Sequence, residues 1–319
     1  MKNAIFYVML VIVYVTWGID PIINSYFYNY FSASALSVLA TLGSFVLFFV
    51  LSLKKLRLLD KRYLKIALPI CIISSIANIL QRIGLQYTTP ASFAFLEKTA
   101  CVVVPILLFI LARKKPTVLI SAASILCLVG CFIFSGLGAS GSFSFGIGDI
   151  LCAAAGILGG FTLAATGLYI KDLDIRLFTL IHMFSYFMTS LIMAVALNFI
   201  KADGAPLEKF TFSKNPAVII GAVLFGLFSV GICWLMRNKS ASQINPAAIA
   251  ILSPSSAIIT GVVSLALGID KISTSFVIGA LLILVAMALS SANDIIHYKR
   301  EKASAESSPE QKTAEESLA

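Results

Sequence analysis

The chain has 319 residues, 59% of them hydrophobic and only 12% charged, with a mean hydropathy of +0.96. Average soluble proteins carry about 25% charged residues, and one buried core cannot hide this much apolar surface, so a soluble enzyme, a nucleic-acid binder and a disordered protein are excluded as readings of the whole chain. The formal charge of +9 is informative through its placement, because basic residues of membrane proteins collect in cytoplasmic loops.

About 20 apolar residues cross a hydrocarbon core as a helix. Runs of that length lie at about 4–23, 35–53, 66–84, 91–112, 117–136, 148–170, 177–200, 216–236, 246–267 and 274–293. The first carries Trp17-Gly18 and then Asp20-Pro21; it is too long for a signal peptide and no small-residue cleavage site follows it. Tyr26, Phe27, Tyr28, Tyr30 and Phe31 come next and fit an interfacial aromatic belt. The third run places Asn78 and Arg82 on one helix face, and the fourth holds Glu97-Lys98 near its middle. Gly156 and Gly160 in the sixth have GxxxG spacing, read as close helix packing. His182 in the seventh reads as a satisfied polar core residue, Trp234 in the eighth as packing, and Ser253-Pro254 in the ninth as a breakable helix. All six cysteines lie in apolar runs, so no disulfide framework is read, and Cys127 and Cys131 lack a nearby His or acid to complete a metal site. From Lys299 the polar, charge-mixed stretch KREKASAESSPEQKTAEESLA is expected to be a disordered tail.

With the N-terminus placed inside, eighteen Lys and Arg fall in inner segments, four in outer loops (Lys201, Lys209, Lys214, Lys271) and two, Arg82 and Lys98, within spans. That asymmetry puts both ends of the chain in the cytoplasm. Shifting the chain by 156 lays residues 89–117 over 245–273 with six identities, including Pro90/Pro246, Ala91/Ala247 and Lys115/Lys271. In this topology the fourth and ninth spans run in opposite directions, so the halves are inverted. Such repeats exchange conformations around a site near the membrane midplane. The expected fold is an all-α membrane protein of ten transmembrane helices: a first five-helix repeat over 1–140, a second over 141–296, and a tail over 297–319.

Ten short helices in two halves, Trp17-Gly18, YTTPASFAFL at 87–96, NPAAIAILSPSSAIITGVVSLALGIDKIS at 245–273 and IGALLILVAMALSS at 278–291 together resemble the drug/metabolite transporter superfamily of EamA type. The sequence departs from that family's pattern at the helix exits, where Asp270 and Lys114 stand for its usual Glu. The resemblance implies export of small metabolites such as amino acids, often with proton coupling, by alternating access.

Charging a side chain inside hydrocarbon costs a few kcal/mol even on lenient scales, about 2.5–3.5, so the ionisable residues within spans are the informative ones. Asp20, Glu97, Arg82 and Lys98 sum to zero charge. Lys98 lies about 15 Å below Thr88 at 1.5 Å per residue, too deep to snorkel. It must face a wet cavity, pair with an acid or lose its proton. Adjacent helical residues point about 100° apart, so Glu97 and Lys98 are expected to face different neighbours. The shift of 156 sets Ser253-Pro254 opposite Glu97-Lys98, which predicts charge in one half and a broken helix in the other. Asp20 is the second acid able to carry a proton, Arg82 a candidate anion contact, and Trp17 a candidate stacking surface. No HExxH, GxSxG or P-loop is present, so no enzyme and no cofactor are expected. The reading is a secondary transporter of small metabolites in a bacterial-type plasma membrane, export ahead of import. Its partners are a small-molecule substrate and the lipid bilayer, with no nucleic acid, and proton coupling and a homodimer left open. The alternatives are a binding or scaffold protein on a transporter fold and, behind it, an intramembrane enzyme.

Overall fold

A hydrocarbon core offers a backbone no hydrogen-bond partner but itself, and the apolar runs answer with helices. The structure, a computed structural model, describes residues 4–88, 95–113, 115–135, 146–199, 201–202, 205–206, 208–268 and 273–306. In chain order these form α1 (Ala4–Phe27), α2 (Ala33–Ser52), α3 (Leu68–Gln86), α4 (Ala100–Ala112), α5 (Val118–Phe134), α6 (Ile147–Tyr169), α7 (Ile175–Phe199), α8 (Pro216–Gly226), α9 (Cys233–Ala241), α10 (Pro246–Leu252), α11 (Ser255–Ala266) and α12 (Thr274–Glu306). A widened helical turn, Leu227–Ile232, joins α8 to α9, and two two-residue strands, Lys201–Ala202 and Ala205–Pro206, pair after α7. Nine helical stretches among the described residues are long and apolar enough to cross a membrane, and the 17-residue α5 is a shorter apolar helix. α12 continues to Glu306, ten residues past the expected boundary of the tail, and 307–319 lie outside the described residues.

Polarity runs from apolar outside to small and polar inside. α2 turns Val46, Phe49 and Val50 outward and buries Ser34, Ser37, Thr41 and Ser44 at helical spacing. Each of the last three bonds the carbonyl four residues back: Ser37 Oγ to Ala33 O at 2.7 Å, Thr41 Oγ1 to Ser37 O at 2.6 Å and Ser44 Oγ to Ala40 O at 2.8 Å. Satisfied hydroxyls can therefore line a helix contact without cost to the neighbouring helix. The most extensive pairings join one half of the chain to the other: α5 with α12, α3 with α6, α2 with α7, and α1 with α11. Small residues make them close. A Cβ on Gly279 would lie 2.4 Å from Phe134 N, and one on Gly130 would lie 3.0 Å from Ile283. At the shift of 156 these glycines fall opposite Ala123 and Ala286, both fully buried.

Two expected spans are broken in the middle. The fourth turns at Lys98-Thr99 before α4, and the ninth turns at Ser253-Pro254 between α10 and α11. Their backbone bonds match pair for pair: Lys98 N–H to Phe95 O and Ser253 N–H to Ala250 O; Cys101 to Lys98 and Ser256 to Ser253; Val102 to Thr99 and Ala257 to Pro254; Val103 to Thr99 and Ile258 to Pro254. Both broken helices also end at a left-handed residue, Arg113 at φ 51° and Gly268 at φ 70°. All these pairs stand 155 residues apart. Ser253-Pro254 therefore corresponds to Lys98-Thr99, one residue on from the expected Glu97-Lys98. The 156 register returns at the next helices, where Thr117 Oγ1 accepts from Ile120 N and Ser273 Oγ from Phe276 N. The expected contrast of a charged half with a broken half is corrected: both halves break. Sequence showed only one because only one break carries a proline.

The loop between α6 and α7 is clamped to the segment between α2 and α3. Asp174 pairs with Lys55, accepts from Arg176 N at 2.9 Å and Leu177 N at 3.3 Å, and its own N–H donates to the Tyr63 hydroxyl at 2.9 Å. Burial pushes the carboxyl upward, but the Lys55 ammonium and the two N–H donors outweigh it and hold Asp174 below the usual carboxylate range. A lowered pKa contributes stability that is present above the unfolded value, near 4, and lost as pH falls through the folded value. Asp174→Ala removes an N-cap, which costs about 0.5–2 kcal/mol. Thermal unfolding should show a lower midpoint for Asp174→Ala at pH 7, with the gap to the parent closing on acidification below pH 4.

Candidate functional site

Four helices converge on a narrow, closely packed cleft. The early turns of α3 supply Ile70 and Ser74, the late turns of α6 Thr162 and Thr166, the early turns of α7 Phe178 and His182, and α9 Trp234, Arg237 and Asn238. Spacings of three and four residues put each group on one face of its helix. The cleft therefore lies toward the end of the bundle that carries the Asp174 clamp.

Its wall is aromatic. Trp234 stands 4.3 Å from the His182 ring edge-on and 5.4 Å from Trp17, and Trp17 is 6.1 Å from Tyr14. Trp17 Nε1 donates to Ser229 O at 2.9 Å. That carbonyl is free because the widened turn sends the Cys233 N–H to Phe228 O and Val230 O instead, and widened turns of this kind recur at functional sites. The Tyr14 hydroxyl donates to Ile249 O at 3.0 Å, so the aromatic row runs from the cleft to α10 just ahead of the second break. Two further carbonyls there are met by side chains, Ala250 O by Ser253 Oγ at 2.9 Å and Ile251 O by Cys127 Sγ at 3.8 Å.

The charged member of the cleft is Arg237, whose guanidinium sits 4.8 Å above the Trp234 ring. The ion pairs among the described residues are Lys55–Asp174, Arg62–Asp60 and Lys98–Glu97, so no described carboxylate pairs with Arg237. Sequence reading counts Arg237 among the inner-segment charges and gives Ser74 and Asn238 no part in a site. The missed signal is the Trp-x-x-Arg-Asn spacing of 234–238, which sets ring, cation and amide on one face. His182 is buried, with Nε2 3.1 Å from Ser74 Oγ and Nδ1 without a hydrogen-bond partner among the described residues. It is thus half satisfied, not the fully satisfied core residue expected.

The other predicted residues lie apart from this cleft. Lys98 is buried and its Nζ lies 3.1 Å from Glu97 Oε2, the Glu97 side chain being 32% exposed. The expectation that neighbours diverge by 100° fails here because the helix turns at Lys98-Thr99. Asp20 Oδ2 accepts from Asn24 Nδ2 at 2.5 Å, one turn on, and α1 passes through Pro21 unbroken. The backbone at Arg82 lies in α3, and its side chain is outside the described residues. Each broken helix rests on a glycine of the other half. Gly18 accepts from Thr260 Oγ1 at 2.7 Å, and a Cβ there would meet Ile259 at 2.7 Å and Ser256 O at 2.8 Å. A Cβ on Gly156 would lie 2.5 Å from Thr99 Oγ1 and 2.6 Å from Leu96 O. The Gly156–Gly160 spacing thus serves close packing within the chain, against the first break. Gly156→Val should separate α6 from that break at an overpacking cost of about 1–3 kcal/mol, read as a fall in the thermal midpoint, whereas Gly159→Ala, with open space around it, should not.

Residues 4–136 match the EamA-like transporter family. A solved crystal structure, described only as that of a protein, superposes with a TM-score of 0.68 at 13% identity, covering 89% of this chain and 96% of its own; at that identity the likeness concerns the fold alone. No curated protein matches. Residues 4–136 are thus similar to EamA-like transporters, and the many apolar helices of spanning length among the described residues make the chain a multi-pass membrane protein.

Proposed function

We propose that the chain is a secondary transporter that moves small metabolites across a bacterial-type plasma membrane by alternating access between two inverted five-helix halves, residues 1–140 and 141–296. In this reading both ends of the chain are cytoplasmic, the substrate leaves the cell, and Lys98, Glu97, Asp20, Trp17, Arg82, Ser253 and Pro254 line the path or couple it to protons. The observation that carries it is the pair of helix breaks with the same hydrogen-bond pattern, 155 residues apart. A broken helix in each half supplies two hinges of equal construction, and exchanging the two conformations converts one opening into the other. The family match supports transport as the activity.

Purified protein should be screened for metabolites that raise its thermal midpoint, since binding to the native state raises apparent stability. The solute found should then enter proteoliposomes by saturable exchange. A ligand that stabilises but never crosses would make the chain a binding protein. Orientation has its own test, since eighteen inner against four outer basic residues place the C-terminus inside. A reporter active only outside, fused after Ala319, should stay silent, and activity would reverse the topology.

A further inference from the structure

We infer that the segment between α2 and α3 is a binding site for an anionic lipid, whose phosphodiester lies between Lys54 and Arg57. The inference stands apart from the transport reading and needs no solute. α2 ends at Ser52 after 20 residues, about 30 Å at 1.5 Å per residue, which is the depth of the hydrocarbon core. The next stretch able to cross a membrane begins at Tyr63, so residues 53–62 lie at the level of the headgroups. Residues 54–65 carry six basic residues and one acid. Two of the six are engaged, Lys55 with Asp174 and Arg62 with Asp60. Lys54, Arg57, Lys61 and Lys65 are exposed and make no ion pair among the described residues.

The local helix aligns two of these cations. Leu53–Leu58 winds as a 3-10 helix, and three residues per turn set Lys54 and Arg57 one above the other, about 6 Å apart along its axis. The opposite side is fixed to the protein. Lys55 holds Asp174, and Leu56 packs against the cluster that contains Phe48, Tyr63 and Leu177. Two like charges on one helix face repel, and no described acid pairs with either. A phosphate between them turns that repulsion into two attractions. The Arg57 fork matches a pair of phosphate oxygens, and Lys54 adds a mobile point charge.

The leucines decide where the phosphate comes from. Leu53, Leu58, Leu59 and Leu64 are exposed beside the cations. A soluble phosphate or an acidic protein would neutralise the charge and leave this apolar surface uncovered. A lipid supplies a phosphate for Lys54 and Arg57 and acyl chains for the leucines in one molecule. Basic side chains interleaved with exposed apolar ones seat on anionic lipid surfaces for this reason. The neighbouring segment 171–176 has no such excess, since Asp172 and Asp174 balance Lys171 and Arg176. Because Lys55 and Tyr63 both meet Asp174, a lipid held here also rests on the clamp that joins α2 and α3 to α7.

The experiment is native mass spectrometry of the purified full-length protein in nonionic detergent. It is titrated with phosphatidylglycerol, with phosphatidylcholine of the same acyl chains, and with soluble glycerol phosphate. Phosphatidylglycerol should bind at least about tenfold more tightly than phosphatidylcholine, and glycerol phosphate should not displace it. Lys54→Gln/Arg57→Gln should weaken phosphatidylglycerol binding by about tenfold or more, to the level of phosphatidylcholine. Lys115→Gln/Lys239→Gln removes the same charge from two exposed residues elsewhere and should leave that binding unchanged. If the Lys54→Gln/Arg57→Gln variant does not fold, Arg57→Gln alone decides and should still weaken binding by about threefold or more. Equal binding of the two lipids would overturn the inference, as would displacement by glycerol phosphate. So would unchanged phosphatidylglycerol affinity in the folded Lys54→Gln/Arg57→Gln variant, or an equal loss in Lys115→Gln/Lys239→Gln, which would make the effect one of overall charge. None of these outcomes bears on solute flux, so the site and the transport reading stand or fall separately.

Discussion

Lys98→Met should fold and insert but lose solute flux by at least about tenfold, the effect of roughly 1.4 kcal/mol on a barrier. The Lys98 ammonium is buried and its described ion partner is Glu97, the preceding residue. Met keeps most of the stem volume and removes the charge. Stripping one partner from a fully buried pair costs about 3–5 kcal/mol, but Glu97 is about a third exposed, so water offsets part of that loss and the variant should survive. If the pair only locks the first break, Glu97→Gln/Lys98→Met should restore both stability and flux. If Lys98 acts on solute or on the hinge, the double variant should be stable and still inactive. Normal flux in either stable variant would leave Lys98 as packing chemistry.

The second large effect concerns energy coupling. Asp20 and Glu97 are the acids well inside the expected spans, and Asp20 stands three residues from Trp17 on α1. Asp20 is half-buried and accepts from Asn24 Nδ2, and on the proposed reading it is one of the two acids that carry the proton. Asp20→Asn/Glu97→Gln should retain counterflow exchange in proteoliposomes, because exchange needs only the conformational cycle. It should lose uphill movement driven by a pH gradient altogether. Retention of uphill movement would place coupling on another group or another ion.

The spans were legible because hydrocarbon sets both their length and their apolarity. Run boundaries read from residues differ from the helix ends by only a few positions, as at 4–23 against Ala4–Phe27 and 66–84 against Leu68–Gln86. The second break was legible through Pro254, which has no N–H to donate. The first was not, because nothing in Glu97-Lys98-Thr99 forbids a helix. That turn follows from packing, with Leu96 O and Thr99 Oγ1 pressed against Gly156. Proline alone does not mark a break, since Pro105 and Pro21 both lie inside continuous helices. The Arg237 cleft was illegible for a different reason. Its members come from four helices distant in sequence, and Arg237 sits close enough to a helix end to pass for an ordinary cytoplasmic charge. Only tertiary structure shows that its guanidinium lies over the Trp234 ring.

Alternating access makes a direct demand on the centre of the molecule: the same residue must meet water from each face in turn. Ser253, half-buried at the second break, is the position to ask. In a chain whose six native cysteines, all buried, are replaced, Ser253→Cys should be modified by a membrane-impermeant thiol reagent applied to either face of oriented vesicles. A solute that stabilises one conformation should slow the reaction from one face and speed it from the other. Modification from a single face only, unchanged by solute, would contradict alternating access and leave a one-sided binding protein.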